Sequence, residues 1–264
     1  IIDFNAIIIK EVNIMLQQER HNQILAKLNL ERQVTVKELS RIFQVTEDCI
    51  RKDLRALEKE NKLKRTHGGA VLTRVNLHTL HVNDRRNIRI EEKKTIALKA
   101  VELIKPGTVI FLDISTVALE IAKLIYQRNM NITVVTNMID IMEIFTRECS
   151  IQLIFLGGKL NHSGDGFVGS LTIDQIQKYR FDMAFLGAVG IDVEDKTVST
   201  YDADDGMTKK AVIATSRRSY LTAEIIKYTL DGNFIYASLE DFSSYIGEKE
   251  LNDHIKQKVP IQII

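Results

Sequence analysis

The chain is predicted to join a winged helix-turn-helix, a small α+β fold, to a larger α/β domain with a mostly parallel sheet. Three observations predict this. Between Glu19 and Ala70, three segments of helical period end in a short basic hairpin. From Glu91 onward, apolar runs of strand length alternate with amphipathic helical segments. The 264 residues are enough for two separate cores.

Residues 1–14, IIDFNAIIIKEVNI, do not continue the helical pattern, and Met15 follows them. They are expected to be an N-terminal extension, non-native or disordered, or else an extra helix packed on the next domain. The first helical segment carries Ile24, Leu25 and Leu28 on one stripe. The second is expected to bury Val34, Val36, Leu39, Ile42 and Phe43. Thr35 stands three residues before Glu38, the spacing of a capping box. Gln44-Val45 makes the tight turn. Thr46 is the expected N-cap of the third helix, where the helix dipole favours Glu47 and Asp48 in the first turn. Ile50, Leu54 and Leu57 face inward. Thr46, Asp48, Cys49, Lys52 and Arg55 are expected to face outward, with Arg51 beside them. Lys62-Leu63-Lys64-Arg65 reads as a basic strand, His67 follows it, and Gly68-Gly69 permits the tight return of a wing.

Charge supports this reading. Residues 15–74 hold thirteen Lys/Arg against eight Asp/Glu, while the whole chain has a net charge of only +1. The positive excess is local, as expected of a domain that neutralises phosphates. The predicted DNA contacts are Thr46, Asp48, Cys49, Arg51, Lys52, Arg55, Lys64, Arg65 and His67.

Residues 15–72 are thus expected to bind DNA, 73–91 to link, and 92–264 to form the second domain. In that domain Glu92–Leu103 is amphipathic and Pro106-Gly107 is a turn. Val109–Leu112, Ile132–Val135, Ile151–Leu156, Met183–Leu186 and Tyr220–Ala223 are predicted buried strands. Between them, Val117–Tyr126 and Ile139–Phe145 are predicted helices. Asp113-Ile114-Ser115-Thr116, Thr136-Asn137, Gly157-Gly158 and Gly187–Gly190 fall at carboxyl ends of strands. In open parallel sheets the ligand crevice lies there. Small residues and helix starts suit an anion, and Lys209 and Lys227 are available as counter-charges.

The segment ERHNQIL, with VTVKELSRIFQVTEDCIRKDLRALEKENKLKRTHGGAVL, resembles the N-terminal domain of DeoR-type bacterial transcriptional regulators. The family's recognition helix usually reads Ser-x-x-Thr-Ile-Arg-Arg-Asp-Leu, and here Thr46 and Cys49 replace the serine and threonine. The stretches GGKLNHSGDGFVGS and DMAFLGAVGID resemble the sugar-phosphate-binding domain of the same regulators, similar in fold to ribose-5-phosphate isomerase and coenzyme A transferases. The resemblance implies a pocket of Asp113, Thr116, Thr136, Asn137, Gly157, Gly158, Lys209 and Lys227. Three places depart from the family pattern: Ser115 for glycine, Asp205-Gly206 for Glu-Ala, and Glu224 for aspartate. A positive φ at Ser115 would disfavour serine by roughly 1 kcal/mol.

The implied function is a ligand-responsive transcriptional regulator, a repressor of carbohydrate-metabolism genes. Its partners would be double-stranded operator DNA and a phosphorylated sugar or related effector, and it would act as a homo-oligomer, dimer or tetramer. Two other readings stand beside it. One is a constitutive DNA-binding protein with a decayed pocket. The other is an isomerase- or acyltransferase-like enzyme with Asp113, Asp182, Asp192 or Glu224 as base. No cofactor is expected. Cys49 and Cys149 lie far apart, and His78 and His81 lack a third ligand, so reduced cytoplasmic thiols and no metal are expected. No apolar run reaches the roughly 20 residues of a membrane span.

Overall fold

Two threonine hydroxyls begin the helices that matter most in the N-terminal unit. The computed structural model describes residues 17–31, 33–60, 62–71, 87–145 and 150–264. The expected extension 1–14, Met15, His78, His81, Cys149 and most of the expected linker lie outside these. The chain divides into two units, Ile1–Arg74 and Val75–Ile264.

In the first unit, helix α1 (Gln17–Glu31) leads through strand β1 (Gln33–Thr35) to α2 (Val36–Phe43) and α3 (Glu47–Lys59). Thr35 Oγ1 accepts from the Glu38 N–H and Thr46 Oγ1 from the Cys49 N–H, so both threonines cap their helices, although the Glu38 carboxylate pairs with Lys27 at 2.7 Å and the expected capping box is only half formed. Gln44 takes a left-handed conformation between the helices and its N–H donates to Ser40 O. Strands β2 (Lys64–Thr66) and β3 (Gly69–Val71) form the wing, and the sheet order is β1-β3-β2. Gly69 is required here, because a Cβ would lie 2.0 Å from the Val34 carbonyl oxygen. Ile24, Leu28, Leu39, Ile50, Leu54 and Leu57 form the core.

Four details differ from the sequence reading. Val34 joins the core from β1, where it pairs with Ala70, and is not part of a helix. Ile42 is 49% exposed, since α2 is only eight residues long and ends its buried stripe at Leu39. The basic strand starts at Lys64, and Leu63 before it is a core anchor. Cys49 is half-buried, with its thiol directed at Asp53.

The second unit is built on a seven-stranded sheet. Its strands are β4 (Val109–Leu112), β5 (Thr133–Thr136), β6 (Gln152–Phe155), β9 (Met183–Leu186), β12 (Ser219–Thr222), β14 (Ser244–Ile246) and β15 (Gln262–Ile263). The order is β15-β14-β12-β9-β4-β5-β6, and every pairing is parallel. Alternate residues of each strand go to opposite faces. Ile110, Leu112, Val134, Phe185, Tyr220 and Ile246 pack with α4 (Ile90–Glu102), α5 (Thr116–Gln127) and α6 (Ile139–Ile144). Phe111, Val135, Ala184, Leu186, Leu221 and Tyr245 pack with α7 (Ser170–Gln177), α8 (Ala203–Thr215) and α9 (Asp253–Lys258). Burial on both faces explains why the strands read as unbroken apolar runs.

The five strands expected from sequence are present. Sequence reading did not find β14, β15, the hairpin β7 (Lys159–Leu160) and β8 (Phe167–Val168), or the antiparallel sheet of β10 (Gly190–Asp192), β11 (Thr197–Thr200) and β13 (Phe234–Ser238). The chain runs from β4 outward to β5 and β6, then returns to the other side of β4 at β9. The direction of winding therefore reverses between β4 and β9, which opens a crevice at their carboxyl ends. No helix among the described residues is long and apolar enough to cross a membrane.

Candidate functional site

Helix α3 presents Arg51, Lys52 and Arg55 to solvent, and Thr46, Asp48, Lys64, Arg65 and His67 are also exposed. Arg51 is held along the helix by Glu47 at 2.7 Å and Asp48 at 2.8 Å. Such exposed pairs are worth little, so a phosphate can displace them. Arg65 is bound by Glu58, through its backbone N–H at 2.9 Å and Nε at 2.8 Å. That pair fastens the wing to α3, and those hydrogen bonds hold the Glu58 carboxyl below its usual range. Lys52 and Arg55 make no ion pair among the described residues.

The buried face of α3 carries a group that sequence reading did not single out. Asp53 is 1% exposed and accepts from Arg20 Nε at 2.6 Å, Arg20 Nη2 at 3.0 Å and Gln17 Nε2 at 3.4 Å. Its Oδ1 also lies 3.0 Å from His21 Nε2. Burial opposes its charge, but the bonds from Arg20 and His21 prevail and hold the carboxyl below its usual range. The sequence signal was a lone acid three residues past Ile50 on the inward face.

In the second unit a cavity of about 510 Å³ opens at the carboxyl ends of β4 and β9. Of the predicted residues, Ser115, Thr116, Asp205, Lys209, Glu224 and Lys227 border it. Asp113 lies directly behind, 2% exposed. Thr136, Asn137, Gly157 and Gly158 are not among the bordering residues and hold local structure. Thr136 Oγ1 donates to Leu112 O, and Asn137 Nδ2 to Phe167 O, both at 2.7 Å. Gly157 O accepts from Thr172 and Gln175. A Cβ on Gly158 would meet Thr172 Oγ1 at 2.1 Å.

Lys209 borders the cavity and is 4% exposed. It is ion-paired to Asp113 Oδ2, and Asp205 Oδ1 lies 3.8 Å away. Burial works against its charge, but the two carboxylates more than offset this and the ammonium titrates above its usual range. Burial pushes the Asp205 carboxyl up, although Lys209 and the Thr200 hydroxyl, which donates at 2.5 Å, pull the other way. Tyr236 packs beside Lys209, its ring centroid 6.0 Å from Lys209 Nζ and its hydroxyl donating to Gly187 O.

Ser115 has φ −147°, so the anticipated strain does not arise. It is the N-cap of α5, its Oγ accepting from the Ala118 N–H at 3.1 Å. Opposite it, the Gly187 N–H donates to Asp113 Oδ2 at 2.8 Å. A Cβ on Gly187 would lie 2.6 Å from the Ser115 Cβ. Gly187→Ala is expected to displace this cap and cost about 1–3 kcal/mol, read by urea unfolding of the full chain. An unchanged midpoint would show that the loop yields freely.

Sequence reading missed Arg89 and Lys93, which border the cavity from the start of α4, and Asp165 and Asp202 across it. Asp202 had a legible signal, because it precedes Ala203-Asp204-Asp205 as an N-cap and accepts from the Asp205 N–H at 2.9 Å. Arg89 had none, since nothing local marks a polar linker residue as a cavity wall.

Residues 88–249 match the DeoR C terminal sensor domain, and residues 20–75 match the DeoR-like helix-turn-helix domain. The chain belongs to the DeoR family. An uncharacterized HTH-type transcriptional regulator of Bacillus subtilis, YulB, is 34% identical over 90% of this chain and 91% of its own length. The glycerol-3-phosphate regulon repressor of Escherichia coli is 33% identical over 81% and 84%. The lactose phosphotransferase system repressor of Lactococcus lactis is 30% identical over 81% and 84%. Among solved structures, ribose 5-phosphate isomerase A of Methanocaldococcus jannaschii aligns over 51% of this chain and 52% of its own, with 17% identity and a TM-score of 0.37. As a DeoR-family protein, this chain is a DNA-binding transcription regulator whose sensor domain contains the cavity described above.

Proposed function

We propose that this regulator represses genes of carbohydrate metabolism and that a phosphorylated sugar or related metabolite controls its hold on the operator. The observation that carries the reading is the cavity at the β4–β9 switch, bordered by Arg89, Lys93, Lys209 and Lys227 on a sensor domain joined to a basic winged helix. Lys209 is already neutralised by Asp113 and Asp205. The ligand's phosphate is assigned first to Arg89, with Lys93 and Lys227 beside it on the border, and its hydroxyls to Asp205, Glu224 and Ser115. The printed names of two relatives, a glycerol-3-phosphate regulon repressor and a lactose phosphotransferase system repressor, support this ligand class. An open cavity and an unstrained Ser115 speak against a decayed pocket. The relatives reported above are named as transcriptional regulators, which agrees with a sensor rather than an enzyme.

DNA contact is assigned to Thr46, Asp48, Arg51, Lys52, Arg55, Lys64, Arg65 and His67, with Cys49 shielded beside Asp53. One winged helix reads few base pairs, so a homo-oligomer on repeated half-sites is proposed. A thermal-shift screen of the full chain against phosphorylated sugars and their neutral counterparts tests the sensor reading. A rise with phosphorylated compounds alone is expected. No rise with any compound, with DNA binding intact, would return the choice to a constitutive regulator.

The DNA reading has its own test. A triple alanine variant at Arg51, Lys52 and Arg55 is expected to lose at least about 2 kcal/mol of affinity for a duplex selected from a random pool by the wild type. Fluorescence anisotropy across a salt series measures it, and the salt slope should flatten by about 2–3. Equal affinity would exclude α3 as the reading helix.

A further inference from the structure

We propose that Arg89 is an anion contact of the cavity and the residue through which a bound anion acts on the chain that leads to the DNA-binding unit. The inference rests on the reading that the cavity holds a phosphorylated effector. Ile88, Arg89 and Lys93 all border the cavity. They lie within the first described residues of the C-terminal unit, whose described part starts at Asn87. The described part of this unit therefore begins along the cavity wall, and in sequence it follows the segment that leads from the winged helix.

The local backbone there is unusual. Arg89 is the N-cap of α4 with φ 56° and ψ 45°, a left-handed conformation, and its side chain makes no capping bond. For a residue other than glycine this conformation is unfavourable. The turn is held from inside, because Lys93 is 3% exposed and its Nζ donates to Ile88 O at 2.7 Å. An anion in the cavity attracts the Arg89 guanidinium and competes with the Ile88 carbonyl for Lys93. Both effects bear on the backbone at 88–90. Lys209 cannot respond in the same way, since its charge is committed to Asp113 and Asp205. A ligand shifts an equilibrium only through contacts that differ between two states, and Arg89 with Lys93 supplies such contacts at the entry of the connecting chain.

The test compares full-length wild type, Arg89→Gly and Arg89→Lys. Glycine accepts a positive φ, so Arg89→Gly removes the guanidinium without distorting the turn. The probes are sn-glycerol 3-phosphate, glucose 6-phosphate, fructose 6-phosphate and ribose 5-phosphate, and the DNA is a duplex selected from a random pool by the wild type. Calorimetry gives the Kd of the probe that wild type binds most tightly. Anisotropy gives the ratio of DNA Kd with and without that probe at saturation. Arg89→Gly is expected to weaken the probe at least about tenfold and to bring the ratio close to one. Arg89→Lys should keep most of the probe affinity. If Arg89→Gly binds the probe as wild type does, or keeps the wild-type ratio at saturation, the inference fails while the effector reading stands. If wild type binds none of the probes and still binds the duplex, both fail.

Discussion

Lys209→Met is expected to destabilise the C-terminal unit by about 3–5 kcal/mol, the usual cost of leaving a buried carboxylate without its cation. Methionine fills similar space, so the loss is electrostatic and not a cavity. Asp113 is 2% exposed, and its Oδ1 already lacks a hydrogen-bond partner among the described residues. Without Lys209, its Oδ2 keeps only the Gly187 N–H at 2.8 Å. Asp205 keeps the Thr200 hydroxyl. Urea unfolding followed by circular dichroism measures the change. Acid should partly relieve the variant. A folded-state pKa raised by burial, the direction Asp205 already shows, means that the folded state takes up its proton at higher pH than the unfolded chain does. Such a group lends stability below its unfolded pKa, and the contribution is lost as pH rises through the folded value. Lys209→Met should therefore gain stability, relative to wild type, as pH falls from neutral toward about 4. Adding Asp113→Asn should recover about half of the loss, because it removes one stranded charge. A single variant as stable as wild type, flat with pH, would show that water reaches both carboxylates.

Asp53→Asn is the second large effect, expected at about 2–3 kcal/mol in the winged-helix unit. The amide oxygen can still accept one bond, but its NH₂ faces the Arg20 guanidinium where Oδ1 and Oδ2 both accepted. Arg20 is itself buried, its side chain 9% exposed, but the amide oxygen still accepts one of its bonds and no net charge is stranded at position 53, so the cost stays below that at Lys209. The pH dependence runs opposite to that of Asp205. Asp53 has a lowered pKa in the folded state, so its contribution is full above the unfolded value near 4 and disappears as pH falls through the lower folded value. Wild type should lose stability in that acid window, and Asp53→Asn should lose less. Thermal unfolding of the two proteins between about pH 2.5 and 7 decides it. Parallel curves would mean that Asp53 is not ionised in the fold.

These two groups mark how far the chain is legible without a structure. The sequence alone determined the helices and strands whose signals are local. Thr35 and Thr46 show as caps because a cap is a hydrogen bond over three residues. The strands Val109–Leu112 and Met183–Leu186 show as apolar runs because both faces of a parallel sheet are buried. The same logic placed the crevice at the carboxyl ends of strands, with Ser115 and Thr116 at its border, while Lys209 and Lys227 entered as available counter-charges and Asp205 and Glu224 only through the family resemblance. Tertiary structure alone decided what meets across the chain. Lys209 joins Asp113 over 96 positions and Asp53 joins Arg20 over 33. It also brought Arg89 to the cavity, and gave Asn137, Gly157 and Gly158 packing contacts outside its border. Periodicity reports which face of an element is buried. It does not report which other element covers that face, so the pairing of charges and the border of a cavity are fixed only when the sheet order brings distant strands and helices together.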